Sequence, residues 1–224
     1  MMSVIEQLNE IGNKPIETKN LKNYRRIVAE HLDVETAILF DKRLSYEIYK
    51  GLDDAVEYYE ENSLKVKVFG KWHPVPRKMA AYCDEGITYT FSGLTMPTRN
   101  WFPLLSQLRD IVTKLTGFDY NFVLVNRYEN GNQHIGEHRD GEKEIDPSSP
   151  IVSLSFGQHR DFVFRHSNSK ARPDLTPIKM ELPNGSILVM NPPTNQFWLH
   201  SLPIRKKALH PRINLTFRKI FRSE

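Results

Sequence analysis

The rhythm of apolar and polar residues changes at about residue 64. Before it, hydrophobic positions recur near the helical period of 3.6 residues, which predicts helices over 23–32 and 45–61. In the second, Tyr46, Tyr49, Leu52, Val56 and Tyr59 form a stripe with acids between them, expected to face the core. After Leu64 the pattern turns strand-like, broken by one further helix over 100–115, where Leu104, Leu105, Leu108, Ile111, Val112 and Leu115 share a side. Strands are predicted over 122–128, 151–156, 161–165, 178–182, 186–190, 198–202 and 213–220, separated by Gly, Pro and Asn turns. Many short strands behind a helical lead-in predict a mostly β fold with flanking helices, a two-sheet jelly roll or barrel with one sheet braced by the N-terminal helices. Residues 1–35 are expected to be a flexible arm and 36–224 one domain, with no internal repeat and no second-domain boundary. The polar stretch 167–177 is expected to be a loop between strands.

Composition narrows the classes. With 39% hydrophobic residues the chain suits a soluble globular protein, and no apolar run approaches membrane-spanning length. Residues 1–20 lack the apolar stretch of a secretory signal. A single cysteine, Cys83, excludes an intramolecular disulfide framework and fits a reducing compartment, with Cys83 read as a small buried residue. The net charge of +4 is unevenly spread. Residues 1–64 carry 8 Lys/Arg against 13 Asp/Glu, a net of −5, whereas residues 160–224 carry 12 against 4, a net of +8. A basic C-terminal half fits a polyanionic partner, and ordinary surface charge accounts for it equally well.

The chemistry concentrates in His138-Arg139-Asp140, with His200 downstream and the segment Arg212 to Arg218 behind it. Two imidazoles and a carboxylate can occupy one face of an octahedral metal and leave three positions open, as a non-haem Fe(II) oxygenase requires. An H-x-D pair suits a strand end, and the third ligand must then come from another strand. Residues of equal parity in a strand share a face. Arg212, Asn214, Thr216 and Arg218 therefore point one way, and Ile213, Leu215 and Phe217 the other. Such a dicationic face fits a dianion held inside a barrel, or equally a solvated sheet face. Eight histidines are present, so most cannot be ligands; His159 and His166 are expected to touch phosphate or cap a turn.

Asn126-Arg127-Tyr128, Gly131, Ile135, His138 and Asp140, followed by Arg212-x-Asn214-x-Thr216-Phe217-Arg218, resemble the signature of the AlkB family of Fe(II)/2-oxoglutarate dioxygenases. The segments at 68–73, 76–78, 89–94 and 161–166 resemble the animal AlkB homologue 2 type, a repair enzyme of double-stranded DNA, and the likeness runs over about residues 65–221. It implies a double-stranded β-helix in which His138, Asp140 and His200 hold Fe(II), with 2-oxoglutarate and O₂ as co-substrates. It further implies that Arg218 pairs with the distal carboxylate of 2-oxoglutarate through a bidentate fork. Arg212 would then lie near the metal-side carboxylate, with Asn126, Tyr128 and Asn214 contributing to the same pocket.

The resemblance also implies a nuclear, monomeric enzyme that oxidatively demethylates 1-methyladenine and 3-methylcytosine in duplex DNA, releasing formaldehyde, succinate and CO₂. The base must be flipped out to be reached. Residues 64–100 would form the nucleotide-recognition region. Phe91 and the His138 ring are placed to sandwich the base, and Tyr89 and Glu142 to hydrogen-bond its edge. Val68, Phe69 and Gly70 would wedge the gap, flanked by Lys71. Arg77, Lys78, Arg165, Lys170, Arg172, Arg205, Lys206 and Lys207 are expected phosphate contacts. The family pattern carries an acid where this chain has Gly141, and the 167–177 loop is shorter than its relatives'; both leave part of the recognition surface unmatched. Two other readings stay open at this point: an RNA or single-strand demethylase of the same family, and a non-catalytic nucleic-acid-binding module on a cupin-like barrel.

Overall fold

A computed structural model describes residues 2–60, 65–68, 71–91 and 94–221, with the backbone alone described at 66–68, 71–72, 89, 91 and 94. Helix α1 (Val4–Asn13) precedes a hairpin of β1 (Lys22–Ala29) and β2 (Leu32–Ile38), and α2 (Lys42–Ala55) follows. Next come β3 (Lys65–Val68), β4 (Lys71–Pro74), β5 (Lys78–Cys83), β6 (Tyr89–Phe91), β7 (Leu94–Met96) and α3 (Pro103–Thr116). The rest of the chain is β8 (Phe122–Tyr128), β9 (Ile135–His138), β10 (Ile151–Gly157), β11 (Arg160–His166), β12 (Ile178–Leu182), β13 (Ser186–Asn191), the single turn α4 (Thr194–Phe197), β14 (Trp198–Leu202) and β15 (Arg212–Arg218).

Seven strands form a sheet in the order β1-β2-β13-β10-β15-β8-β5, and four form a second in the order β12-β11-β14-β9. All pairs in both are antiparallel. Two hairpins, β3–β4 and β6–β7, stand apart from them. This is the expected mostly β architecture with flanking helices, a double-stranded β-helix.

The helices pack against the larger sheet. Their apolar faces, with Leu8, Ile48, Leu52, Leu105, Leu108 and Ile111 buried, join Val123, Val125, Val152, Leu154, Ile213, Leu215 and Phe217 in one cluster. β15 runs down the middle of that sheet between β10 and β8. Its odd-numbered side chains feed the helix-backed core, and the expected parity leaves Arg212, Asn214, Thr216 and Arg218 on the other side, lining a cavity. One strand, buried at every position but Thr216, thus supplies hydrophobic anchorage and polar chemistry at once. A second junction depends on Gly131, where a Cβ would fall 1.7 Å from the Arg205 carbonyl oxygen. Gly131 donates to Ala208 O and accepts from Arg205 N, at 2.6 and 2.9 Å, so the β8–β9 and β14–β15 loops lock together.

The N-terminal expectations need correction. Residues 4–13 are a helix, capped by Ser3 and Glu6 in a reciprocal capping box, with Leu8 completely buried. Ten residues are too few for a stable isolated helix in water, so α1 depends on its docking. Residues 22–29 form a strand where a helix was expected, because pairing with β2, and through it with β13, overrides local periodicity. His31 makes the tight reversal in the left-handed region, at φ 55, and its ring stacks on Phe197 with centroids 4.1 Å apart. The 45–61 helix instead spans Lys42–Ala55, capped by the Asp41 side chain, and Tyr46 is 62% exposed, not core. Cys83 is free and buried as expected. Among the described residues no helix is long and apolar enough to cross a membrane, which leaves β-barrel spans unaddressed.

Leu8 tests whether α1 belongs to the folded unit. Leu8→Ala should lower unfolding free energy by about 2–5 kcal/mol, as for other fully buried leucines. Urea denaturation measures it, and an unchanged midpoint would leave residues 4–13 outside the cooperatively folded unit.

Candidate active site

His138 ends β9, and His200 lies opposite it in β14, the two being direct cross-strand partners. Their rings approach to 4.3 Å between centroids. Asp140 follows two residues beyond the strand end, with Oδ1 4.0 Å from Nε2 of each histidine. One ligand atom from each of the three lies within 4.8 Å of the others. His138 Nδ1 sits 2.9 Å from the Gly136 carbonyl oxygen. A carbonyl only accepts, so Nδ1 carries the proton and Nε2 presents its lone pair to the centre of the triad.

Electrostatics keep the ligand forms in place. Burial drives the His200 imidazole down to about 3, with His138 adding to the effect and Asp140 opposing it, so His200 is neutral. Burial alone would raise the Asp140 carboxyl, but the Arg218 charge, with smaller electrostatic contributions from the two imidazoles and the Arg218 hydrogen bond, outweighs it and holds the group below its ordinary value. A neutral imidazole and an ionised carboxylate are the forms that bind a metal. Arg218 donates to Asp140 Oδ1 at 2.7 Å and to Glu142 Oε1 at 3.3 Å. Phe162 stacks on His200, with ring centroids 5.6 Å apart.

Arg212 behaves differently. It is only 2% exposed, and its Nη2 donates to Ser155 Oγ at 2.9 Å and Asn214 Oδ1 at 2.7 Å. Its Nε has no partner, and no acidic side chain pairs with it among the described residues. Burial pulls it down to about 10, so it remains a cation. The Tyr128 ring lies beneath it, 5.5 Å from the guanidinium carbon. Arg77, also buried, donates through Nε to Asn126 Oδ1 at 2.7 Å. Triad, arginines, Asn126 and Tyr128 all line one cavity of about 1080 Å³. A buried cation without an internal counter-ion, lining the same cavity as a three-ligand metal face, suits an anionic ligand of that metal.

A family described as the 2OG-Fe(II) oxygenase superfamily matches residues 37–218. The chain belongs to this superfamily. It is 54% identical to the mouse DNA oxidative demethylase ALKBH2 over 88% of this chain and 84% of that protein. The human protein of the same name is 53% identical, over 88% of this chain and 77% of that one. Human alkB homolog 3, an alpha-ketoglutarate-dependent dioxygenase, is 33% identical over 65% of this chain and 52% of its own. The solved structure of OsALKBH1 superposes with a TM-score of 0.57 over 86% of this chain and all of that one; at 18% identity it speaks for the fold.

Measured against this oxygenase site, the sequence expectations divide. His138, Asp140 and His200 converge, and Asn126, Tyr128, Arg212, Asn214, Arg218 and Glu142 surround them. Of the two arginines, Arg218 is engaged with the carboxylates of Asp140 and Glu142, whereas Arg212 has no carboxylate partner among the described residues. Arg77 lines the cavity, and burial and the bond to Asn126 weaken its case as a phosphate contact. Lys78, Lys170, Lys206 and Lys207 are exposed. Arg165 pairs with Glu137, Arg172 with Glu30 and Asp174, and Arg205 with Asp161 and Glu181. Each of these three already carries a local counter-ion, which weakens its case as a phosphate contact. His166 is buried and accepts from Asn168 N, capping a turn. Val68 pairs with Lys71 in β3–β4, while Phe69 and Gly70 lie outside the described residues, as do the side chains of Val68, Lys71, Tyr89 and Phe91. Sequence reading missed Ser155 and Asn195, neither of which belongs to a motif; only the fold brings them to Arg212 and Asp140.

The depressed His200 value predicts a pH dependence for the metal-free enzyme. Between about 3 and its ordinary 6.5, the unfolded chain binds a proton at this histidine that the folded chain refuses, so stability falls as pH falls. Asp140, held below its ordinary 3.8, adds to the loss only at the acid end. The urea midpoint of chelator-treated protein should drop from pH 7 to pH 4, and His200→Gln should flatten that slope. Equal slopes would remove His200 as its source.

Proposed function

We propose that the chain is a DNA oxidative demethylase acting on 1-methyladenine and 3-methylcytosine in double-stranded DNA. It converts 2-oxoglutarate and O₂ to succinate and CO₂ and releases the methyl group as formaldehyde. The observation that carries the reading is the single cavity holding a His-Asp-His metal face together with Arg212, a buried guanidinium without a carboxylate partner. The choice of DNA follows the relatives, named as DNA oxidative demethylases at 54% and 53% identity. A nuclear location goes with a duplex DNA substrate.

When bound, Fe(II) with 2-oxoglutarate and O₂ supplies the oxidising power for an N-methyl C–H bond. The chain's own residues do the rest. His138 is oriented by its Nδ1–H bond to Gly136. Arg218 holds Asp140 ionised and turned toward both imidazoles. Arg212, above Tyr128, receives the distal carboxylate of 2-oxoglutarate through its free Nε–H. Arg77 occupies Asn126 Oδ1, so the Asn126 amide directs its N–H groups toward the co-substrate. Glu142 has one oxygen on Arg218 and a second, buried Oε2 without a partner. That oxygen suits the exocyclic amino group of a flipped base. Exposed Lys78, Lys170, Lys206 and Lys207 are the remaining candidates for phosphate.

The test is formaldehyde and succinate release from a 1-methyladenine oligonucleotide, alone and annealed, with the unmethylated duplex as blank. Release from the single strand alone would favour the single-strand reading, and no release the non-catalytic one. Arg212→Lys should raise the 2-oxoglutarate KM by about tenfold or more, because a compact ammonium cannot hold Ser155 and Asn214 and also meet the carboxylate as the guanidinium does. Arg218→Lys should act chiefly on the Fe(II) requirement; the opposite pattern would restore the sequence-based order. Phe69→Ala should spare single-strand turnover and cut duplex turnover about thirtyfold, corresponding to roughly 2 kcal/mol of unstacking. Equal loss on both substrates would end the wedge assignment.

A further inference from the structure

The metal carboxylate sits on a loop, not on a strand. After β9 ends at His138, the chain rejoins a sheet only at Ile151. A ligand on such a loop needs outside support to hold the geometry that its two strand-borne partners require. The support comes at both ends. Asn195 accepts from the Asp140 backbone N–H through Oδ1 at 3.1 Å and donates from Nδ2 to the Asp140 carbonyl at 2.8 Å. Its amide thus lies against the backbone of one residue as a neighbouring strand would, using one acceptor and one donor. At the far end Ile145 bridges Ile220, Asp146 N donates to Lys219 O at 2.8 Å, and Phe221 N donates to Glu144 O at 2.7 Å.

Both ties lead back to the site. Asn195 belongs to α4, which runs without a break into β14 and His200. Residues 219–221 continue β15 just past Arg218. The loop is therefore fastened to the two elements that carry the other metal-side groups. Arg218 fixes the Asp140 carboxylate, and Asn195 fixes the backbone from which that carboxylate hangs.

We infer that Asn195 is a positioning residue for the metal, its side-chain amide holding Asp140 in register with His200. The inference rests on the reading of His138, Asp140 and His200 as the metal ligands. Only an amide meets the requirement at this position. An aspartate offers two acceptors to a backbone that needs one acceptor and one donor, and alanine offers neither. Asp140 and Asn195 both line a second cavity, of about 370 Å³, so water can replace the lost bonds when the amide is removed. The fold then survives while the loop loses its register.

The experiment uses the full chain, metal-free, titrated with Co(II) and followed by its visible absorption well below the thermal midpoint. Asp140→Ala is the reference. Asn195→Ala should weaken Co(II) binding about tenfold, the lower end of what outer contacts to metal ligands contribute. Asn195→Asp should weaken it at least as much, although it keeps an acceptor for the Asp140 N–H. The thermal midpoints of the metal-free variants should stay within about 4 °C of the parent. Co(II) affinity within twofold of the parent for both Asn195 variants, with Asp140→Ala impaired, overturns the inference and leaves the metal assignment standing. A lowered midpoint with unchanged affinity overturns it too, giving Asn195 to the fold alone. Unimpaired binding by Asp140→Ala removes the metal assignment itself.

Discussion

A guanidinium does not shed its charge in a protein interior, and β15 buries two of them on one face. Leaving either without compensation would be costly, and the molecule answers the two demands differently. Arg218 has Asp140 and Glu142. Arg212 has a serine hydroxyl, an asparagine carbonyl and the face of Tyr128. These are neutral groups that orient the cation without cancelling it. The residual positive charge fits the anionic co-substrate that the oxygenase superfamily takes. The strand can bear this load because its other face is committed to the helix-backed core through Ile213, Leu215 and Phe217.

The second sheet completes the site by bringing β9 and β14 side by side, so that two histidines 62 positions apart in the chain become cross-strand neighbours. Asp140 joins them from a loop and is held by Arg218 at its carboxylate and by Asn195 at its backbone. The same fastening recurs around the mouth. Arg160, almost wholly buried, donates to the carbonyl oxygens of Asn130, Gln133 and Pro203, tying together the loops that flank β9 and β14. Gly131 permits the close backbone approach between those loops. The loops around the triad are thus cross-tied by backbone contacts. The exposed Lys78, Lys170, Lys206 and Lys207 lie at a strand end and in loops.

Much of this was legible in the residues alone. H-x-D and a distal His announce their chemistry because few residue types ligate iron, and alternation along 212–218 announces a two-faced strand because side chains in a strand alternate strictly. Period and turn residues were enough for the β class and for most strand positions in the second half of the chain. They failed at residues 22–29, where basic and apolar residues read as a helix and sheet pairing decided otherwise. They failed at residues 4–13, where a short capped helix becomes stable only by docking. The basic residues were the least legible. A sequence counts Arg77, Arg165, Arg172 and Arg205 as free positive charge, yet the fold spends Arg77 on Asn126 and the other three on carboxylates.

What the sequence by itself determined, then, is the chemical inventory and its parity: which side chains can bind a metal, and which of them share a strand face. Those follow from covalent structure and from the fixed geometry of an extended chain. Which arginine keeps a counter-ion and which waits for one was decided by tertiary structure, because Asp140 and Ser155 reach β15 from distant segments. The same holds for Asn195, 55 residues from the carboxylate it steadies. Such contacts are set by where loops cross in space, and no local pattern of residues encodes that crossing.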